Sequence, residues 1–221
     1  MIAGGLDELV SLISLLSGAV AGVTAFMSMP SGSGASDQTR DRANQFTRYR
    51  SIWLWALGVI FGMFAFRSFC WLLYYDGDAM RIQSPHNLGD LGLHVAYIRN
   101  FANGVRLWPD SPLYVFSKLR YPAGMDLFNA LFANLGFDLR HQLAATGLIA
   151  SIATFYAFYR WSGAFGIAGF LFNGGVAGYE FFQTWKFLAY QDTPTISWKS
   201  IALTMFVTQR GLLYAIPAGL A

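Results

Sequence analysis

Four or five apolar stretches approaching twenty residues, set apart by short polar tracts, give this chain its plan. A helix that crosses a bilayer needs about 20 mostly apolar residues. The first stretch, Leu9 to Met29, carries no charge, although Ser, Gly and Ala dilute it. Asp7 and Glu8 precede it where a secretory signal peptide would carry basic residues, so it reads as a retained helix. From Pro30 to Asn44 the sequence turns to PSGSGASDQTRDRAN, a solvated linker. Arg40, Arg42, Arg48 and Arg50 place that linker on the cytoplasmic side. The second stretch, Ile52 to Tyr75, is interrupted only by Arg67 and has Trp53, Trp55, Trp71, Tyr74 and Tyr75 at its ends, the residues expected at membrane interfaces.

The second stretch thus leads outward and leaves 76–140 as an external loop. His141–Tyr159 and Trp161–Tyr179 are charge-free and flank Arg160, which predicts a hairpin with Arg160 at its inner turn. Tyr179–Lys199 reads as a second external segment and Ser200–Ala221 as a last span heading inward. The chain stops inside that apolar stretch, with no polar flank to hold a helix end, and reads as a truncated frame. The pattern predicts an all-α fold, a polytopic helical membrane protein in three regions. These are a hydrophobic helix at 1–30, a cytoplasmic basic linker at 31–50, and a membrane region at 51–221 with a mostly helical external loop at 76–140.

Composition agrees. Charged residues make up 12% of the chain, about half the roughly 25% of a soluble domain, which argues against a soluble globular enzyme. The single cysteine, Cys70, can build neither an intrachain disulfide nor a cysteine-based zinc site. The formal charge of +3 is scattered, with no Lys/Arg block, so no nucleic-acid partner is expected. The bilayer is.

Within the loop, a start signal at Asp90 and a stop signal at Asn103-Gly104 bracket an apolar run, which predicts a short helix lying at the membrane surface. Asp90 and His94 are four apart and share a helix face. A carboxylate beside an imidazole can hold a divalent cation or act as an acid/base pair; the plainer reading has Asp90 capping the helix and His94 at the headgroups. A second helix begins near Pro122 and stops at Gly136, with Leu127, Phe128, Leu131, Phe132 and Leu135 at helical spacing, amphipathic enough to lie on the bilayer or pack on the spans. Asp126 falls in its first turn, where the helix dipole favours an acid. Arg67 and Arg210 lie inside apolar stretches, where a cation marks a functional or paired charge. Arg67 could snorkel or face a cavity. Arg210 could bind a phosphate in bidentate fashion, or the stretch could be two short segments with Arg210 at a surface.

The loop's Gly-Asp90-Leu-Gly-Leu-His94, Ile98-Arg-Asn-Phe-Ala-Asn-Gly104, Trp-Pro109 and Tyr121-Pro122-Ala-Gly124-Met-Asp126 resemble the start of a GT-C type integral-membrane glycosyltransferase. The later Trp198-Lys-Ser and Thr208-Gln209-Arg210-Gly211 are similar to segments of bacterial members. The resemblance implies a multi-pass enzyme of a bacterial inner membrane that transfers a sugar from a polyprenyl-phosphate donor at the external face. It makes Asp90 the catalytic or metal-binding residue, with His94 beside it and a divalent metal ion as the cofactor. Arg210 or Arg67 would face the lipid phosphate, and Asp126 and Tyr121 would line the substrate site. The chain departs from that pattern in lacking a second acid next to Asp90, in its first hydrophobic helix and in its short length. The competing expectation is a non-catalytic membrane subunit that binds another protein through its external helices. A transporter would need charges lining several spans, and only Arg67 and Arg210 qualify.

Overall fold

The structure, a computed structural model, describes residues 5–27, 43–82, 88–114, 116–173, 201–207 and 209–220. Residues 31–42 of the expected linker and the expected second external segment, with Trp198-Lys-Ser, lie outside them, while residues 43–50 of that linker form the start of the next helix. The described chain is mostly helical. Asp7 caps α1 (Glu8–Met27) by accepting the Val10 amide at 2.7 Å. The apolar part of α1, Glu8–Thr24, is shorter than the run needed to cross a bilayer. Its start packs on the loop helices instead, where Asn134 donates to the buried Ser11 hydroxyl at 3.3 Å.

Helix α2 (Ala43–Cys70) ends earlier than the apolar run suggested. Leu73–Asp76 and Ala79–Ile82 form an antiparallel hairpin, β1 and β2, which the all-α expectation did not include. The Asp76-Gly77-Asp78 turn explains it: Gly77 sits at φ 61°, and the flanking aromatic and β-branched residues suit a strand.

The loop helices form where expected. Helix α3 (Leu88–Ala102) and α4 (Gly124–Asn134) run into Gly104 and Gly136, both left-handed. They pack on each other rather than lying flat on a surface: Leu91, His94, Tyr97, Ile98 and Phe101 of α3 are buried. The buried face of α4 is Met125, Asp126, Asn129, Ala130 and Leu131, while Phe128 stays exposed. So α4 turns its polar edge inward.

Helix α5 (Leu139–Leu171) starts on an Asp138 cap and reverses at Ser162–Gly163, where Gly163 takes φ 59°. A Cβ on Gly166 would come within 3.0 Å of the Phe158 carbonyl oxygen. Eight residues along a straight helix are about 12 Å apart, so the second limb must fold back on the first. The hairpin thus has its turn two to three residues past Arg160. Two helices, Ser51–Cys70 and Leu139–Leu171, are long and apolar enough to cross a membrane. Many of their apolar side chains face outward, with Trp55 75% and Phe165 83% exposed. Apolar surface on that scale marks contact with lipid or another protein.

α2 and the first limb of α5 run antiparallel: Gly147 meets Phe69, and eight residues later in α5 Phe155 meets Phe61, eight residues earlier in α2, at 5.3 Å between ring centroids. Phe61, Phe69, Phe170 and Phe206 then lock α2 and the second limb of α5 to the last segment, with ring centroids 5.4 to 6.0 Å apart. A Cβ at Gly147 would overlap the Phe69 ring. Gly147→Ala is therefore expected to cost about 1–3 kcal/mol by overpacking, read as a lower unfolding temperature in detergent. Pairing it with Phe69→Leu should return part of that loss.

The last apolar stretch is not one helix. A π-helical turn at Ile201–Phe206 is followed by non-helical backbone at 209–211 and then by α6 (Leu212–Leu220). This matches the two-segment alternative, with one difference: Arg210 at the break is fully buried rather than at a surface.

Candidate functional site

The break between the π-helical turn and α6 delivers Gln209 and Arg210 to the place where α3, α4 and the start of α5 meet. His94, on the inner face of α3, is fully buried. Its Nδ1 lies 2.9 Å from both carboxylate oxygens of the buried Asp126 on α4. An ionised carboxylate only accepts hydrogen bonds, so Nδ1 carries a proton and donates it to Asp126. Nε2 faces the Tyr121 hydroxyl at 3.5 Å, too long for a strong hydrogen bond. Tyr121 instead donates to Gln209 Oε1 at 2.8 Å, and Gln209 Nε2 donates to Asp90 Oδ2 at 2.7 Å. One file of polar groups thus leads from the buried Asp126 to the exposed Asp90.

Beneath it lies Arg210. Its Nη2 donates to Thr146 Oγ1 at 2.7 Å, and Thr146 bonds in turn to Asn129 Oδ1 at 3.3 Å and to the Gln142 carbonyl at 2.8 Å. Arg210 Nε and Nη1, and both side-chain polar atoms of Gln142, are buried without a partner. Burial pushes the Asp126 carboxyl above its ordinary range, against the hydrogen bond from His94 and the positive charges of His94 and Arg210. Burial also raises the Tyr121 phenol, with Asp90 and Asp126 adding to the effect. Tyr121 therefore stays a neutral donor.

Of the residues singled out in the sequence, the structure brings Asp90, His94, Tyr121, Asp126 and Arg210 together from segments up to 120 positions apart. It does not bring Arg67, which is exposed in the last turn of α2, where its charge suits the helix dipole. His94 is buried, not at a headgroup surface. Asp90 and His94 do not pair with each other; each has a partner from elsewhere in the chain. Gln209, Thr146, Asn129 and Gln142 were not singled out. Their signal was polar residues at spacings of three and four inside apolar helices, Asp126 with Asn129 and Gln142 with Thr146.

A divalent cation of the oxygen-binding kind takes six or more ligands. Asp90 offers one carboxylate, already held by Gln209, and Asp126 is committed to His94. Among the described residues no group of three or more His, Cys, Asp or Glu side chains could hold a metal. Among the described residues the donors at Asp90 do not complete such a set. Comparison with models of protein families, with curated proteins and with solved structures found no match to this chain.

Proposed function

We propose that the chain works as a membrane glycosyltransferase, taking a sugar from a polyprenyl-phosphate donor at the external membrane face with Asp90 as general base. The reading rests on one observation: Asp90 is the exposed end of a polar file whose other members are buried or half-buried. Asp90 takes the proton of an acceptor hydroxyl while that oxygen bonds to the anomeric carbon. The bond from that carbon to the lipid phosphate breaks, and the phosphate leaves with the electron pair. Gln209, oriented by Tyr121, holds one Asp90 oxygen and leaves the other free. His94, Asp126 and Arg210 are positioning residues here, since burial keeps them from the reacting atoms. The outward apolar faces of α2 and α5 suit the bilayer that such a donor requires.

The test is turnover of radiolabelled polyprenyl-phosphate mannose, galactose or arabinose by membranes carrying the full chain. Asp90→Asn should lower label transfer by a factor of about 10²–10⁴. Equal rates in variant and wild type, or no donor consumed by the wild type, would overturn the proposal.

A second reading, a non-catalytic subunit, is favoured by one feature. Trp108, Leu113, Tyr114 and Phe116 are exposed on a loop pinned by the Asp110–Lys118 ion pair at 2.7 Å. Under that reading Asp90 tolerates replacement, and capture of another membrane protein depends on this loop.

A further inference from the structure

The last turn of α2 and the first turn of α5 frame a cleft of about 320 Å³, lined by Cys70, Trp71, Leu73, Tyr74 and Arg140. It lies apart from the Asp90 file: none of its lining residues belongs to that network. Its volume is at the lower end for ligand sites, which run from about 300 to 1,000 Å³, so it suits a headgroup rather than a whole lipid.

Its charge is unbalanced. The nearby acid, Asp138, is engaged by the Tyr75 hydroxyl at 3.0 Å, by the His141 ring at 2.9 Å and by the His141 amide at 3.2 Å. Arg140 and Arg99 have no ion-pair partner among the described residues, and both charges lie close enough to act on the Tyr75 phenol. Arg140 thus lines a cleft that contains no acid, with the Arg99 charge acting on the adjacent Tyr75.

The position supplies the rest. Both helices that are long and apolar enough to span a membrane begin or end here, at Cys70 and Leu139. Trp71 and Tyr74, lining the cleft, are more than two-fifths exposed. Such amphipathic rings are enriched at headgroup level, and a guanidinium's planar fork matches phosphate oxygens.

We propose that this cleft binds the phosphate of an anionic membrane-lipid headgroup, with Arg140 as the direct contact and Arg99 as the second charge. Trp71 and Tyr74 pack beside the glycerol region. The proposal rests on α2 and α5 crossing the membrane and is independent of sugar transfer.

The experiment follows thermal unfolding of the full chain in a non-ionic detergent, titrated with dioctanoyl phosphatidylglycerol, dioctanoyl phosphatidylcholine or inorganic phosphate. Phosphatidylglycerol should raise the unfolding temperature in a saturable way that equal amounts of the other two do not match. Arg140→Ala should weaken that response about tenfold, the scale of one lost charge-assisted hydrogen bond. Arg99→Ala should weaken it less, and Arg140→Lys should lie between wild type and Arg140→Ala. The ligand-free unfolding temperature of both alanine variants should stay at the wild-type value, because neither side chain has an ion-pair partner to lose. Equal protection by phosphatidylcholine would mean a non-specific apolar effect, and equal protection by inorganic phosphate a free-anion site. Either result overturns the proposal, as does an unchanged response in Arg140→Ala or release of the chain from membranes by alkaline carbonate.

Discussion

Replacing Arg210 with methionine should destabilise the protein by about 3–5 kcal/mol, the cost of removing one member of a buried pair of charges. Arg210 is fully buried, and its positive charge acts on Asp126. Methionine fills much of the volume, so the loss is electrostatic and not a cavity. Without the guanidinium, nothing but the His94 contact offsets the burial of the Asp126 carboxylate. Asp126 then escapes by taking a proton, which limits the penalty. Thr146 also loses its 2.7 Å partner, but keeps the Gln142 carbonyl. Arg210→Lys retains the charge and should recover part of the loss. The measurement is equilibrium unfolding in detergent at neutral pH. A cost below about 1 kcal/mol for Arg210→Met would mean that the unpartnered Nε and Nη1 already cancel what the charge contributes.

Which residues gather at the candidate site was largely legible in the sequence; which residues they meet was not. Asp90, His94 and Asp126 stood out at helix starts and helical spacing, Tyr121 through the family resemblance, and Arg210 because a cation in an apolar stretch is costly. The helical spacing of Asp90 and His94 pointed to each other as neighbours. The actual partners, Asp126 for His94 and Gln209 for Asp90, come from 32 and 119 positions away, distances at which no local rule operates. Periodicity also misled on α4. It identifies the apolar face, Leu127, Phe128, Leu131, Phe132 and Leu135, but not which face turns inward when a neighbouring helix offers His94 as a partner for Asp126. The break at 209–211 was hidden for a related reason: Ser200–Ala221 is almost continuously apolar, and hydropathy says nothing about where a backbone leaves the helix. The α5 reversal and the α3 and α4 boundaries were better marked, because Arg160, Gly104 and Gly136 are local signals of a turn or stop. The coarse result, a mostly helical chain with two helices able to cross a membrane, follows from apolar run length alone.

Asp126→Asn should be the other large effect, seen in the pH dependence of stability, because asparagine stays neutral like the protonated acid that burial favours. Asparagine keeps the shape and an oxygen acceptor for His94, so the variant isolates the charge. Its pH dependence has a definite sign. Burial places the folded-state pKa of Asp126 above its ordinary 3.8, so between those two values the folded protein binds more protons than the unfolded chain. Stability from this group is then fully present below pH 3.8 and declines as pH rises through the folded-state pKa. Asparagine has no such slope. The stability of wild type relative to Asp126→Asn should therefore fall as pH rises through that window and stay constant above it. A rise instead would show that His94 and Arg210 together outweigh burial and hold the carboxyl below its usual range. The double variant Arg210→Met/Asp126→Asn separates pair from parts: with both charges gone, its cost should fall short of the sum of the singles by about 0.5–3 kcal/mol. Strict additivity would mean that the two groups are buried near each other without being coupled, and that the file from Asp126 to Asp90 is set by hydrogen bonds alone.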